Sequence, residues 1–172
     1  MLFDSLKTKS IVKKMEEFIK KRYYVPSLGA PKTVGILQKD SELFDKESID
    51  QLRAVFGKHL EIEVLTYVSV LKKEDKESEV LFSNKQIGWN GVFKGEALKR
   101  FSQKRFDILI SYYSEHNLML EYVTASSEAT FKVGVLENGD AINDLTILST
   151  KGKKRVFVKE LQKYLKILKI ID

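Results

Sequence analysis

One apolar run near the middle of the chain constrains the fold more than any other stretch. Residues 105–115 read RFDILISYYSE, in which charged residues lead into Ile108-Leu109-Ile110 and then into hydroxyls and aromatics. An apolar run without polar alternation is typical of a strand buried on both faces of a parallel sheet. It predicts an α/β fold with this strand near the sheet centre, ending in a polar loop.

Strand-like and helix-like segments alternate on both sides of this run. Helical periodicity predicts a basic N-terminal helix at about 5–23 and a basic C-terminal helix at about 157–168. The strand at 32–38 leads into a helix that Asp40 or Ser41 can cap and Gly57 ends. Further strands are predicted at 60–70, 79–83, 106–113, 131–136 and 145–148.

This order of elements predicts one domain over residues 1–172. Its fold class is a three-layer α/β/α sandwich with a mixed, mostly parallel sheet of about five strands. The Asn138-Gly139 pair predicts a turn before the last strand. Because the return is short, we expect that strand to run antiparallel to its neighbour.

Composition excludes several classes of site. The chain has no Cys, which rules out disulfides, thiolate metal ligands and a Cys nucleophile, and it has only two His. We therefore predict no metal site and no cofactor. No apolar stretch resembles a signal peptide or reaches the roughly 20 residues of a membrane span. We expect a cytoplasmic protein without a transmembrane segment.

Polar side chains follow two of the predicted parallel strands. In open α/β sheets, ligands bind beyond the carboxyl ends of the strands, where helix N-termini favour anions. The candidate ligand-binding residues at this edge are Lys39, Asp40, Ser41, Tyr113, Ser114, Glu115 and His116. The alternative is that these loops only cap the helices that follow them.

Catalytic and nucleotide motifs are missing from the sequence. It contains no G-x-S-x-G elbow, no phosphate loop and no glycine-rich dinucleotide turn after the first strand. Glu115 and His116 are adjacent at a helix start, where neighbouring side chains usually diverge, so adjacency does not make a catalytic pair. Ser127 lies between a helix and a strand, away from the expected site. No catalytic residue is assigned.

Positive charge is concentrated at the two ends of the chain. Residues 1–24 carry +4 and residues 151–172 carry +6, so a total of +6 leaves −4 for the remainder. If the two terminal helices packed together, their lysines could form one surface for an anionic partner such as a phosphate-containing ligand, RNA or an acidic membrane. The residues proposed for it are Lys7, Lys14, Lys21, Lys153, Lys154, Arg155, Lys159, Lys163 and Lys166. The alternative is two separate solvated helix faces.

The loop at 84–95, NKQIGWNGVFKG, contains the only Trp and three of the nine Gly. Such spacing is typical of an irregular surface loop, in which Trp89 would fill a hydrophobic groove. The functional alternative is a lid or clamp whose contact face is Trp89.

Several phrases of the sequence together suggest a family. The segments FDILISYY, ASSEATFKVGV, NDLTI and IGWNGVFKG resemble a small family of uncharacterised bacterial proteins of unknown function. The resemblance implies an intracellular α/β protein and transfers no active-site residue.

The sequence thus favours a non-enzymatic binding or interaction domain, which would use either the terminal basic surface or an apolar patch around Trp89. The alternative is a protein or enzyme for a small anionic metabolite or nucleotide, with its site at the carboxyl edge of the sheet. Self-association through a free sheet edge is a third hypothesis.

Overall fold

The computed structural model describes residues 2–23, 28–75, 80–135, 142–148 and 153–172. Helices and strands alternate along these residues, with a short 3₁₀ turn at Asn84–Gln86. The helices are α1 (Leu2–Lys21), α2 (Lys46–Phe56), α3 (Glu96–Gln103), α4 (Leu118–Ser126) and α5 (Lys154–Ile167). The strands are β1 (Thr33–Lys39), β2 (Glu61–Tyr67), β3 (Leu81–Phe82), β4 (Ile108–Tyr112), β5 (Phe131–Gly134) and β6 (Leu145–Thr146).

The sheet has β1 and β4 at its centre, as the apolar run predicts. Its strands lie in the order β3-β2-β1-β4-β5-β6, and each pair among the described residues is parallel. Ile36 of β1 faces Val64 of β2 on one side and Ile110 of β4 on the other. The strand order reverses between β1 and β4, which is where doubly wound sheets place their ligands.

Two hydrophobic cores cover the two faces of the sheet. Leu37 and Leu109 face a core formed with α1, α3 and α4, whereas Ile36 and Ile110 face a core formed with α2 and α5. Alternate residues of a strand point to opposite faces, so central strands covered on both sides must be apolar throughout. The three-layer α/β/α sandwich is therefore confirmed.

Gly35 explains how β1 and the segment before β4 approach each other closely. A Cβ on Gly35 would lie 2.7 Å from the ring of Phe106, which is buried in the first core. Any larger residue at this position would have to displace a buried aromatic ring.

The sheet differs from the prediction in strand number and direction. Among the described residues it has six strands rather than about five, and the last strand is parallel, so the expected antiparallel orientation is wrong. Ten residues lie between Gly134 and Leu145 in the sequence, more than a tight hairpin connection uses. At the amino edge, the Asp144 N–H donates to Lys132 O at 2.8 Å. The turn predicted at Asn138-Gly139 lies outside the described residues.

Helix boundaries also differ from the prediction, and α1 spans Leu2–Lys21 rather than about 5–23. Helix α2 is capped by Asp45, which accepts the Ser48 N–H at 2.9 Å, and not by Asp40 or Ser41. Gly57, with φ 119°, ends α2 as expected. Helix α5 begins at Lys154, three residues before the predicted start, because its first turn carries charged residues that hide the apolar period.

Candidate interaction surface

Of the predicted ligand residues, only Lys39 and Glu115 pair with each other at the carboxyl edge of the sheet. Lys39 Nζ lies 3.1 Å from Glu115 Oε2, which joins the two loops. The Asp40 N–H donates to Tyr67 O at 3.0 Å, and Ser41 is exposed. Tyr113 points into the core, where its hydroxyl lies 2.9 Å from Thr124 Oγ1 and burial raises its pKa.

A carboxylate that sequence reasoning missed occupies the centre of this edge. Glu42 is 6% exposed, and its two oxygens accept the Ser114 N–H at 3.1 and 3.2 Å. That N–H is the kind of donor that an anionic ligand would need. The protein's own carboxylate therefore takes the place of a bound anion at the point where the strand order reverses.

His116 is paired within its own helix start. Its Nδ1 lies 3.0 Å from Glu121 Oε1, and the same oxygen accepts the Asn117 N–H at 3.0 Å. Asn117 caps α4 by accepting the N–H groups of Met119 and Leu120. His116 and Glu115 act separately, since Glu115 pairs with Lys39. In the described ranges, no cluster of three or more His, Asp or Glu side chains is placed to hold a metal ion.

The two basic helices do not form one surface. Helix α1 packs on α4, whereas α5 packs on α2 across the opposite face of the sheet. The condition for a single basic surface built from Lys7, Lys14 and Lys21 together with the lysines of α5 is therefore not met.

Acidic residues of α2 and of its cap neutralise part of the α5 face. Lys154 pairs with Asp45 at 3.1 Å, and Arg155 pairs with Glu47. Within α5, Lys163 pairs with Glu160 at 3.0 Å. Lys153, Lys159 and Lys166 are exposed. The acidic partners weaken this face as a site for anions.

Trp89 is 71% exposed, so the interpretation that it fills a hydrophobic groove is wrong. It lies at the tip of a tight turn, residues 87–93, which we call the Trp89 turn. Val92 on the same turn is 51% exposed, whereas Ile87 at its base is buried. A large aromatic side chain held in water on a fixed turn is a feature that folding alone does not require.

The Trp89 turn is fixed to the core at its base and along its side. Ile87 and Phe93 form an antiparallel bridge, and the Gly88 N–H donates to Val92 O at 2.8 Å. The Tyr122 hydroxyl donates to Gly91 O at 3.0 Å. Gly91 has φ 74°, and a Cβ there would collide with that hydroxyl. These contacts hold the turn against the core.

Two lysines lie against the Trp89 turn. The side chain of Lys94 lies against Gly88 and that of Lys14 lies against Gly91, since a Cβ there would come within 3.3 and 3.1 Å of their methylenes. Lys85 is exposed one turn earlier, and Lys7 Nζ donates to Asn84 O at 2.8 Å. Among the described residues, the recorded ion pairs do not involve Lys14, Lys85 or Lys94.

Sequence reasoning identified Trp89 and, separately, Lys7 and Lys14 of the N-terminal helix, but did not place them together. Lys14 lies some seventy residues before the turn, and only the packing of α1 beside it brings the two together. The signal available was local: Lys85 and Lys94 flank the only Trp of the chain.

Comparison with known proteins places the chain in a family. No helix in the described ranges is long and apolar enough to cross a membrane. No curated protein and no solved structure is significantly similar to the chain. A family described as "Family of unknown function (DUF6913)" matches residues 7–168, which include all six strands, and the chain therefore belongs to this family, as the resemblance in its sequence indicates.

Proposed function

We propose that the protein is a peripheral binding domain that docks on anionic lipid surfaces through the Trp89 turn and its lysines. The observation that carries this proposal is the 71% exposure of Trp89 on a turn held by the core. Trp is enriched at membrane–water interfaces, where its amphipathic ring lies at the level of the headgroups. The cytoplasmic leaflet is anionic, which fits the cytoplasmic location expected from the sequence.

Charge and shape favour a lipid surface over a protein partner. Lysine is depleted from protein–protein interfaces, and a stable one buries about 1,200 Å² or more. The turn offers two exposed apolar side chains, Trp89 and Val92, and two lysines lie against it. Lysine stems can lie along apolar surface while their ammonium groups reach lipid phosphates.

The expected affinity is modest. Each lysine near an anionic leaflet contributes about 1 kcal/mol, and burial of a large apolar side chain contributes about 2 kcal/mol. Lys14, Lys85 and Lys94 with a partly inserted Trp89 would then bind reversibly with about 5 kcal/mol, which corresponds to a dissociation constant of about 0.2 mM. We expect salt to weaken this binding because exposed charges are screened.

The only Trp of the chain is also the reporter for the experiment. We expect its fluorescence emission to shift to the blue with vesicles of phosphatidylcholine and phosphatidylserine, and to stay unchanged with phosphatidylcholine alone. Trp89→Ala should weaken vesicle co-sedimentation, and Lys14→Glu with Lys94→Glu should weaken it further.

The matched control reverses the same number of charges on the other face of the molecule. Lys159→Glu with Lys166→Glu changes two exposed residues of α5 and should leave vesicle binding as it is. An unchanged emission spectrum with anionic vesicles at low salt, or equal loss in both double variants, would refute the proposal.

A further inference from the structure

A cavity of about 540 Å³ opens at the amino edge of the sheet, opposite the edge where the sequence predicts a ligand. It lies between the end of α1, the end of α4 and the start of β5. The residues that matter for its chemistry are Phe18, Arg22, Ala125, Ser127, Thr130 and Lys132. We call it the amino-edge cavity. Its volume falls within the range of small-molecule sites.

Lys132 is the unusual residue of this cavity. It is the second residue of β5 and is 1% exposed, which places it among the most completely buried large side chains of the described chain. Its Nζ donates to Ala125 O at 3.0 Å, at the end of α4. An ammonium group has three N–H donors, and the described residues supply an acceptor for one of them.

The nearest carboxylate is already committed to another cation. Asp144 accepts from Arg22 Nε at 2.8 Å and forms a second bond with Arg22 Nη2. It also accepts the backbone N–H of Lys132 at 2.7 Å. Arg22 Nη1 donates to Ala129 O at 3.1 Å, so the guanidinium group of Arg22 already has partners within the protein. Two cationic side chains of the cavity wall, Arg22 and Lys132, therefore share one carboxylate, that of Asp144, which lies beside the cavity and does not line it.

The rim of the cavity does not correct this imbalance. Lys21 and Arg105 are exposed there, and Glu128 lies 3.5 Å from Arg105. The rim thus also has two cationic residues and one carboxylate. Burying a charge without a counter-charge is unfavourable, and such a group either loses its proton or acquires a partner.

The pKa of Lys132 agrees with the missing counter-charge. Burial, and then the neighbouring charge of Arg22, lower it from 10.5 to about 7, while Asp144 acts in the opposite direction. Lys104, also near the amino edge, shows the contrast, because its Nζ lies 3.6 Å from Glu61, pairs closely with Glu63 and has a raised pKa.

We propose that the amino-edge cavity binds the carboxylate or phosphate group of a small molecule, which acts as the counter-ion of Lys132. A charge-assisted hydrogen bond from Nζ would satisfy a free donor and the buried charge together. The site is separate from the Trp89 turn, and neither proposal depends on the other.

The hydroxyls of the cavity favour binding over catalysis. Ser126 Oγ donates to Val123 O at 3.1 Å, and Ser127 Oγ accepts the Ala129 N–H at 3.2 Å. Both therefore serve the end of α4. His116, with Glu121 as its partner, lies at the start of α4, and the cavity lies at its other end. No covalent step is needed for the proposed role.

The experiment measures thermal stabilisation and calorimetric binding of the full chain with sulfate, inorganic phosphate and malonate. Sulfate stays fully charged across neutral pH, so any change of its affinity near pH 7 belongs to the protein. We expect sulfate to bind below pH 7 and its affinity to fall about tenfold per pH unit above it, since only the protonated Lys132 is competent. A preference for malonate or for phosphate identifies the group that the cavity accepts.

Three variants make the result decisive. Lys132→Met keeps the length of the side chain and should abolish binding, and Lys132→Arg should keep binding without its pH dependence. Lys104→Met is the matched control, because that lysine has its own carboxylates, and it should bind sulfate as the wild type does. Equal stabilisation of wild type and Lys132→Met, or no response to any of the three anions, would overturn the proposal.

Discussion

Two lysines at opposite edges of one sheet have opposite electrostatic environments. Lys39 ends β1 at the carboxyl edge, and its pKa is raised, chiefly by the hydrogen bond to Glu115. Lys132 lies near the start of β5 at the amino edge, and its pKa is lowered to about 7, chiefly by burial. Whether a lysine has a carboxylate partner therefore decides its charge state more than its position in the fold does.

The carboxyl edge is closed by its own side chains. Glu42 accepts the Ser114 N–H. Gln38 accepts the Phe44 N–H at 2.6 Å and donates to Thr66 Oγ1 at 3.0 Å. Each of these groups already has the partner that a ligand would offer. A fold places a crevice, but whether a ligand fits depends on which donors and charges are left without partners.

The largest expected effect comes from breaking the ion pair between Arg22 and Asp144 beside the amino-edge cavity. Asp144→Asn keeps an acceptor oxygen and removes the charge that Arg22 and Lys132 share. The side chains of Arg22 and Asp144 are 16% and 15% exposed, so we expect a loss of about 3 kcal/mol in the free energy of unfolding. Urea denaturation measures it.

A second substitution tests whether the two cations are coupled. Lys132→Met alone should be neutral or slightly stabilising, because a buried unpaired charge is replaced by an apolar chain. In the double variant Asp144→Asn with Lys132→Met, the second substitution should recover about 1 kcal/mol of the free energy of unfolding that Asp144→Asn removes. Strict additivity would contradict the charge imbalance described for the cavity. Asp50→Asn, in an exposed pair 3.5 Å from Arg53, is the control and should cost under about 0.5 kcal/mol.

The next effect is the pH dependence of stability. The pKa of Lys132 is about 7 in the folded protein and 10.5 in the unfolded chain, so between these values the unfolded state binds more protons. The free energy of unfolding should therefore rise with pH above 7, by at most about 1.4 kcal/mol per pH unit. Below pH 7 the folded and unfolded states both hold the proton, so Lys132 then adds no pH dependence to the free energy of unfolding.

Comparison of variants separates the pH dependence due to Lys132 from that of the other titratable residues. Lys132→Met should lose the rise above pH 7, whereas Lys104→Met should keep it because the pKa of Lys104 is raised. Chemical denaturation at a series of pH values is the measurement. A slope common to wild type and Lys132→Met would show that Lys132 keeps its proton in the folded protein.

Much of the fold follows from the sequence because apolar runs predict which strands are buried on both faces. The central position of β4 and the two-sided covering of the sheet follow from Ile108-Leu109-Ile110. The parallel direction of β6 does not follow from the sequence, since it depends on how β6 pairs with β5 in the folded chain. The exposure of Trp89 also depends on tertiary packing, because Gly91 and Tyr122 fix the turn outward.

The candidate sites were only partly accessible from the sequence. Lys132 carried a signal: a lysine inside the strand FKVG of a sheet covered on both faces must be buried. Its lack of a counter-charge was not accessible, because Asp144 could have been its partner and is instead held by Arg22 from the far end of the chain. Glu42 gives no such signal, because Asp40 and Ser41 beside it are residue types that favour helix capping.

The smallest effect is expected at the carboxyl edge, and it decides which edge binds anions. Lys39→Met removes a pair whose side chains are 25% and 62% exposed, so the free energy of unfolding should change by under about 0.5 kcal/mol. Sulfate binding should remain, since Glu42 already occupies the Ser114 N–H. If Lys39→Met instead removed sulfate binding while Lys132→Met kept it, the anion would lie at the carboxyl edge. Glu42 would then have to move aside when the ligand enters, and the conformation in which Glu42 accepts the Ser114 N–H would be the empty form of that site.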